Sequence, residues 1–424
     1  MSSIAGLLWS VFLPFTLVSA IIVFWGVIKL IKTEKESSAT LFSWHSVKEA
    51  VTISLSSKVG TGAIIGILVA MGLLKKQGST PETILFWVLV GMLLLVPLTY
   101  FEVYLTKVAN QHPREFIAKL LSPKVAVVFS VTLIVLYSFG FAGFQFTGIL
   151  SIADISSKLM LNYPLLPLDK LLYIIIPLLS IILIIVFTGN HDLFINFLAS
   201  MISSIIILYF LFFCIFVYNT NSYIGDYLST MWNGVLNWKS AAFGVPAGLI
   251  IGAQRIIQVS ETGLGTSAMS AINSKNTARQ SALIQSIAAV ISLLNAAVIT
   301  SYISSYGVEV LNRFSYTEPL YSQLSGFLMT VKDVTGNLGI IVVISFFIVS
   351  GLTTILGSYH FLNTTLQKSA KTKRVIYALL ITTSALMCIL NFDIIFEVVD
   401  IFMFLISSIL LVAMLFYVKK RVFS

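Results

Sequence analysis

Ser54-Leu55-Ser56-Ser57-Lys58-Val59-Gly60-Thr61-Gly62-Ala63 interrupts an apolar segment long enough to cross a bilayer. It places one lysine, three serines, one threonine and two glycines where hydrocarbon would surround the chain. Hydrocarbon cannot hydrogen-bond a freed backbone group, so irregular backbone at that depth has to line a protein-enclosed cavity. An ionisable residue at the same depth is costly and marks a pathway or a site. The stretch therefore reads as a helix broken within the membrane, in a protein that moves something polar.

Composition agrees with this reading. The chain is 58% hydrophobic and 10% charged, with mean hydropathy +0.98, against roughly 25% charged residues in a soluble domain. Apolar runs of bilayer length recur eleven times, centred near residues 19, 60, 94, 137, 177, 203, 252, 291, 351, 382 and 407. The first, residues 6–31, is too long for a signal-peptide core and ends in lysines, so it is expected to be retained. Cys214 and Cys388 sit in apolar runs without metal-ligand spacing, and read as lipid-facing or packed thiols.

The net charge of +9 is distributed as a topology signal. With the N-terminus outside, eighteen basic residues fall on the cytoplasmic side and seven outside, with Lys58 within a span. That asymmetry sets the N-terminus outside and the C-terminus in the cytoplasm. The partners of the basic excess are anionic lipid headgroups of the bilayer, not nucleic acid. Phosphate-loop, zinc and nucleophile motifs are absent, so no enzyme is expected.

Setting the first helix aside leaves ten spans that divide five and five. The expected organisation is an extra N-terminal helix over residues 1–36, a first repeat over 37–219 and a second over 220–424, within one transmembrane domain. An odd number of helices per repeat inverts the second half relative to the first, as in many secondary transporters. The division follows the longest polar outer loop, residues 219–239. The first helix of each half is interrupted by glycine. In the first half the interruption is Val59-Gly60-Thr61-Gly62. In the second it is Gly244-Val245-Pro246-Ala247-Gly248 with Gly252, in a span continuing to about Ser260. Matching breaks point to a site near the midplane, whereas glycines alone also serve close helix packing.

A broken helix offers free carbonyls at one half-end and free N–H groups at the other. A carboxylate suits the N–H end and a small cation suits carbonyls and hydroxyls, which fits a zwitterion with a sodium ion. Gly60, Thr61 and Gly62 would supply that backbone. Thr353 and Thr354 of the ninth span are hydroxyl candidates for the cation, though such hydroxyls commonly back-bond to their own helix. Gln145, after a glycine-rich stretch, either bonds a neighbouring helix or contacts cargo. Glu102 and Asp400 are each able to pair with Lys58 or Arg255.

These residues resemble the sodium:alanine symporter (amino-acid carrier) family, whose members look like the leucine-transporter fold with one extra N-terminal helix. Lys58-Val59-Gly60-Thr61-Gly62-Ala63-Ile64 is similar to the family's basic-Val-Gly-Thr-Gly-Asn-Ile signature. Phe86-Trp87 through Phe101-Glu102-Val103 resembles its Phe-Trp…Phe-Ala-Glu-Val helix, and Gly140 to Gln145 follows a glycine-rich pattern ending in glutamine. Arg255 with Ser260-Glu261-Thr262-Gly263-Leu264-Gly265-Thr266-Ser267 parallels Arg-Gly-x-x-x-Asn-Glu-Ala-Gly-x-Gly-Ser-Ala. Thr353-Thr354-Ile355-Leu356-Gly357-Ser358-Tyr359 resembles Ser-Thr-Ile-x-Gly-Trp-Tyr, and Val399-Asp400-Ile401 the final Ala-Asp-Ile.

The resemblance implies an all-α membrane protein with eleven helices and a sodium-coupled symporter of a small amino acid, alanine or glycine. It implies a bacterial plasma membrane and sodium as the coupling ion; no protein partner is inferred. Sodium would meet Thr353 and Thr354 and the carbonyls near Ser56 and Val59. Substrate would face Gly60, Thr61, Gly62, Ala63, Gln145, Gly248 and Ser358. Lys58, Glu102, Arg255, Glu261, Gly263 and Gly265 would form the gating or coupling element, with Lys58 pairing Glu261 or Glu102. Two departures matter: Ala63 stands where the family has asparagine, and Ser358 where it has tryptophan. They widen the expectation to a proton-coupled carrier of a larger amino acid or other zwitterion, and to a non-transporting membrane sensor that keeps the fold.

Overall fold

A computed structural model describes residues 4–33, 44–239, 245–388 and 393–422, and these are almost entirely helical. In chain order the helices are α1 (Ile4–Thr33), α2 (Trp44–Lys58), α3 (Gly62–Lys76), α4 (Thr83–Ala109), α5 (Pro113–Leu120), α6 (Pro123–Val135), α7 (Ala142–Leu161), α8 (Pro167–Lys170), α9 (Ile176–Thr188), α10 (His191–Asn219), α11 (Ile224–Leu236), α12 (Ala247–Ser260), α13 (Thr266–Ala271), α14 (Ala278–Glu309), α15 (Leu320–Thr365), α16 (Ala370–Met387) and α17 (Asp393–Val422). A π-helical turn, Leu136–Phe141, joins α6 to α7, and a second, Leu171–Ile175, joins α8 to α9.

Eight described helices are long and apolar enough to cross a membrane, and α2 with α3, bent by 43°, makes a ninth span. Where spans are expected near residues 252 and 382 lie the helices α12 and α16, which do not meet that length and hydropathy by themselves. Residues 219–239, read from sequence as a polar loop, are largely helical. Their helix α11 buries Tyr227 and Val235 and exposes Leu228, Trp232 and Leu236. Trp232 meets the Phe86 ring edge-on at 6.1 Å, so the aromatic residues of this segment pack it onto α4.

Local chemistry sets the ends. Ser122, Asn190, Thr277 and Ser369 each accept a backbone N–H of the first turn of their helix, filling donors that a helix start leaves free. Asn110, Asn162 and Gly189 end α4, α7 and α9 in the left-handed conformation that favours glycine and asparagine. The 46 residues of α15 would run about 69 Å if straight, far beyond a bilayer. Gly336, at φ 69° and ψ −162°, divides them.

The two interrupted pairs, α2/α3 and α12/α13, lie inside. The α12 helix packs on α3 and α4, α14 covers α2, α3 and α4, and α15 lies against α2, α7 and α10. The extra helix α1 stays outside this bundle and packs chiefly on α17 and α4. Cys214 is exposed and Cys388 buried, one of each kind allowed by sequence.

Beside the α3–α4 turn, Glu82 is 1% exposed. Its Oε1 accepts hydrogen bonds from Ser305 Oγ at 3.0 Å and Tyr316 OH at 3.1 Å. One carboxylate thus joins the α3–α4 turn, α14 and the segment before α15. Burial pushes its carboxyl above the usual range, and Glu309 adds to the shift.

Candidate functional site

The first break is short. Val59, Gly60 and Thr61 separate α2 from α3, and the bend leaves helix ends facing inward. Gln145 reaches over from α7, and its Oε1 accepts Thr61 N–H at 2.8 Å. The amide therefore satisfies a donor freed by the break. Thr354, on α15, donates to the Ser56 carbonyl at 3.0 Å and the Val59 carbonyl at 3.4 Å. Gly60 allows these approaches: a methyl there would stand 2.8 Å from both Gln145 Nε2 and Thr354 Oγ1.

The second break differs from the sequence expectation. Gly248 and Gly252 lie inside the continuous helix α12, which starts after Pro246; Gly244 lies outside the described residues. These glycines serve packing. A methyl at Gly248 would stand 2.1 Å from the Trp87 indole, and one at Gly252 3.1 Å from the Trp87 backbone. The chain unwinds later, between Ser260 and Thr266, where Glu261, Gly263 and Gly265 have φ of 55°, 77° and 85°. Three left-handed residues in five cannot continue a right-handed helix.

Carboxylates secure this second break. Glu261 Oε2 accepts from Ser57 Oγ and Thr266 Oγ1, each at 2.9 Å, which ties it to α2 and α13. Glu102 Oε2 accepts Gly265 N–H at 3.3 Å. Thr99 and Thr262 share a hydrogen bond at 2.8 Å. Lys58 Nζ donates to Ser54 Oγ at 2.5 Å and Ser267 Oγ at 3.1 Å. The direct pair expected between Lys58 and Glu261 or Glu102 is not formed: both carboxylates act on the ammonium through space, beyond the 4.0 Å of ion-pair contact. Asp400 is committed to another cation, since its Oδ2 lies 3.4 Å from Arg255 Nη2.

The two breaks enclose one polar cavity. Ser57, Lys58, Gly60, Gly62, Gln145, Gln258, Glu261 and Thr354 contribute to it, with Phe141 and Phe144 as an apolar wall. Its volume is about 20 Å³, room for about one water molecule. A space of that size does not admit an amino acid.

Several buried polar atoms next to these breaks have no partner among the described residues: Thr61 Oγ1, Gln258 Nε2, Glu102 Oε1 and Ser350 Oγ. Gln258 is a lining residue that the sequence reading missed. Its signal was its place one turn beyond Arg255, whose guanidinium engages its Oε1, leaving Nε2 to the cavity. Ser57, Phe141 and Phe144 lie in stretches the sequence singles out, but which of their residues face the cavity depends on helix rotation.

Other expected site residues lie apart. The Ala63 carbonyl accepts Thr300 Oγ1 at 3.2 Å. Ser358 donates to the Ile355 carbonyl at 2.6 Å and shares a hydrogen bond with Tyr377 at 3.2 Å. Thr353 bonds back to the Ser350 carbonyl at 3.0 Å, the helix-internal alternative for such a hydroxyl.

Buried broken helices meeting at an enclosed polar centre define a membrane transporter rather than an enzyme. The sodium:alanine symporter family matches residues 1–423, and the chain belongs to it. Membership makes it a transmembrane symporter of the sodium-coupled, amino-acid-transporting class. No sequence among the curated proteins matches the chain.

Solved structures share the fold at low identity. A Na+-coupled sialic acid symporter, substrate-bound and outward-open, is 13% identical, with TM-score 0.54 over 91% of this chain and 79% of the other. A nucleobase-cation-symport-1 family transporter, closed around bromovinylhydantoin, is 14% identical, with TM-score 0.55 over 86% and 75%. A variant of the Eremococcus coleocola manganese transporter is 11% identical, with TM-score 0.50 over 89% and 80%.

Proposed function

We propose that the chain imports a small neutral amino acid, of the alanine or glycine class, with sodium, by alternating access. The observation that carries this reading is the set of buried, unpartnered polar atoms beside both breaks, Thr61 Oγ1 and Gln258 Nε2 among them. Leaving such atoms unpaired costs about 1–3 kcal/mol each, a cost that a polar cargo removes. In this reading sodium sits between the Ser56 and Val59 carbonyls and Thr354 Oγ1, which already converge. Thr353, expected from sequence as a second hydroxyl for the ion, is bonded to its own helix and stands outside this set. The substrate carboxylate meets Gly62 and Gln258 Nε2, with Gln145 holding the broken backbone in place.

Gly60 and Thr61 belong to the backbone of this site, whereas Ala63, Gly248 and Ser358, expected from sequence to face substrate, pack away from it. Lys58, Glu102, Arg255, Glu261, Gly263 and Gly265 couple the breaks. The closed cavity has to widen to admit cargo, which supports alternating access. The reading includes eleven spans in an inverted five-plus-five arrangement after α1, with repeats at 37–219 and 220–424. It places the protein in a bacterial plasma membrane with the N-terminus outside.

Uptake of labelled alanine and glycine into proteoliposomes, with sodium or choline outside, tests the reading. Sodium-dependent accumulation is expected. A second reading, coupling to protons, is favoured by the three buried ionisable groups Lys58, Glu102 and Glu261. Uptake that ignores sodium but follows an imposed pH gradient would replace the first reading with the second. Absence of uptake under both gradients, together with no thermal shift on adding amino acids, would leave a sensor.

A further inference from the structure

Two glutamine side chains line the central cavity, Gln145 from α7 and Gln258 from α12. An amide offers either its oxygen or its NH2, so the end turned inward decides what the cavity takes. At Gln145 the oxygen is committed, since Oε1 accepts Thr61 N–H at 2.8 Å. At Gln258 it is committed as well, to the guanidinium of Arg255. A backbone N–H and a guanidinium are donors only. Neither amide can therefore turn over without setting donor against donor.

Arg255 is itself fixed. It is 1% exposed and stands three residues before Gln258, on the same face of α12. Its Nη1 donates to Gln258 Oε1, and its Nη2 lies 3.4 Å from Asp400 Oδ2 on α17. The α3 backbone backs the pair at Gly66, where a methyl would stand 3.4 Å from Gln258 Oε1 and 3.8 Å from Arg255 Cδ. What remains is Gln258 Nε2, buried beside the cavity with no partner among the described residues. Burying an unpaired donor is unfavourable, and the hold of a fixed cation on the amide oxygen keeps the donor there.

We propose that Arg255, held by Asp400, is a positioning residue that makes the cavity select cargo by a carboxylate: it turns Gln258 so that only N–H faces the cargo. This deepens the amino-acid reading above and rests on it. A site built to hydrogen-bond one group strongly rejects the analogue that lacks it. Alanine is therefore favoured over ethylamine, which differs from it by the carboxylate alone.

Isothermal titration of the purified full-length protein with L-alanine and with ethylamine, in sodium, tests the selection. The wild type is expected to bind alanine at least about a hundredfold more tightly. Gln258→Glu keeps an oxygen on Arg255 but turns a second carboxylate oxygen to the cavity, so the preference should invert towards ethylamine. Arg255→Met/Asp400→Leu replaces the buried pair by apolar side chains, a change that folded proteins tolerate. There the amide is free to turn, and the preference should shrink about tenfold. A purely structural loss would weaken both ligands alike and leave their ratio unchanged.

Protein labelled with 15N-glutamine gives a readout without cargo. The Gln258 NH2 signal, assigned by its loss in Gln258→Glu, should be single in the wild type and shifted or doubled in Arg255→Met/Asp400→Leu. An unchanged signal there, or ethylamine bound by the wild type as tightly as alanine, overturns the proposal even where sodium-dependent uptake stands. Should the double variant not fold, Gln258→Glu decides, and an undiminished alanine preference in it overturns the proposal. The expected signals without any alanine uptake would sink the transport reading instead, leaving Arg255 as the residue that orients the amide.

Discussion

The two breaks solve one problem with different chemistry. At residues 59–61 the chain opens by a short bend without left-handed residues, and neutral groups from α7 and α15 take up the freed backbone. At residues 261–265 it opens through three left-handed residues, and two buried carboxylates hold the result. The first break depends on space and the second on conformation and charge. Two interrupted spans around one cavity therefore do not require the same chemistry. In the proposed reading the neutral break binds the cation, while the anionic one ties α2 to α13.

This contrast is open to direct attack, most strongly at Gly60. Gly60→Ala brings a methyl against Gln145 and Thr354, and overpacking costs about 1–3 kcal/mol. Uptake is expected to drop by up to about a hundredfold while the protein still purifies as a monodisperse species. Wild-type uptake in this variant would show that the first break does not depend on space.

Next in size is the hydroxyl on α15. Thr354→Val removes the one side-chain oxygen joined to both carbonyls of the break. The sodium concentration for half-maximal uptake should rise about tenfold, the equivalent of about 1.4 kcal/mol, with Thr354→Ser nearly unaffected. Thr353→Val, whose hydroxyl serves its own helix, should change sodium dependence little.

The second break should respond differently to the same kind of change. A methyl at Gly263 meets nothing within 4 Å, but φ there is 77°. Gly263→Ala should cost about 1 kcal/mol of thermal stability and leave half-saturating sodium unchanged. A large rise in the sodium requirement would erase the proposed division between the breaks.

The smallest effect is a control from outside the spans. Burial raises the Glu82 carboxyl above its usual range, so between the unfolded and native values the folded protein holds more protons. Stability from this group is full below about pH 4.5 and is lost as pH rises through the raised native value. Glu82→Gln should flatten that part of the melting-temperature profile and leave sodium dependence intact. A profile identical to wild type would remove Glu82 as the titrating group.

The first break was legible because its glycines, lysine and hydroxyls stand together in an apolar run. The second was harder to place. Gly248 and Gly252 make the same signal as a break, but their use is to admit Trp87, a partner far away in sequence. Arg255 and Glu261 were identifiable by type and motif, whereas their partners depended on helix rotation. Asp400 meets Arg255, while Lys58 is held by hydroxyls. Gln258 escaped notice because its place one turn beyond Arg255 does not tell which way the amide faces, which helix rotation decides. Helical class followed from hydropathy, but α11 did not, since Asp226, Ser229, Thr230 and Asn233 break up its apolar residues.

The wide turn at Leu136–Phe141 carries one residue more than a regular helix would use. Deleting that residue would swivel Phe141, Phe144 and Gln145 together by about 100° about the helix axis, taking the amide off Thr61. Homologues shortened by a single position there would need a different way to hold the neutral break. The length of this span thus sets where the amide stands as firmly as the identity of Gln145 does.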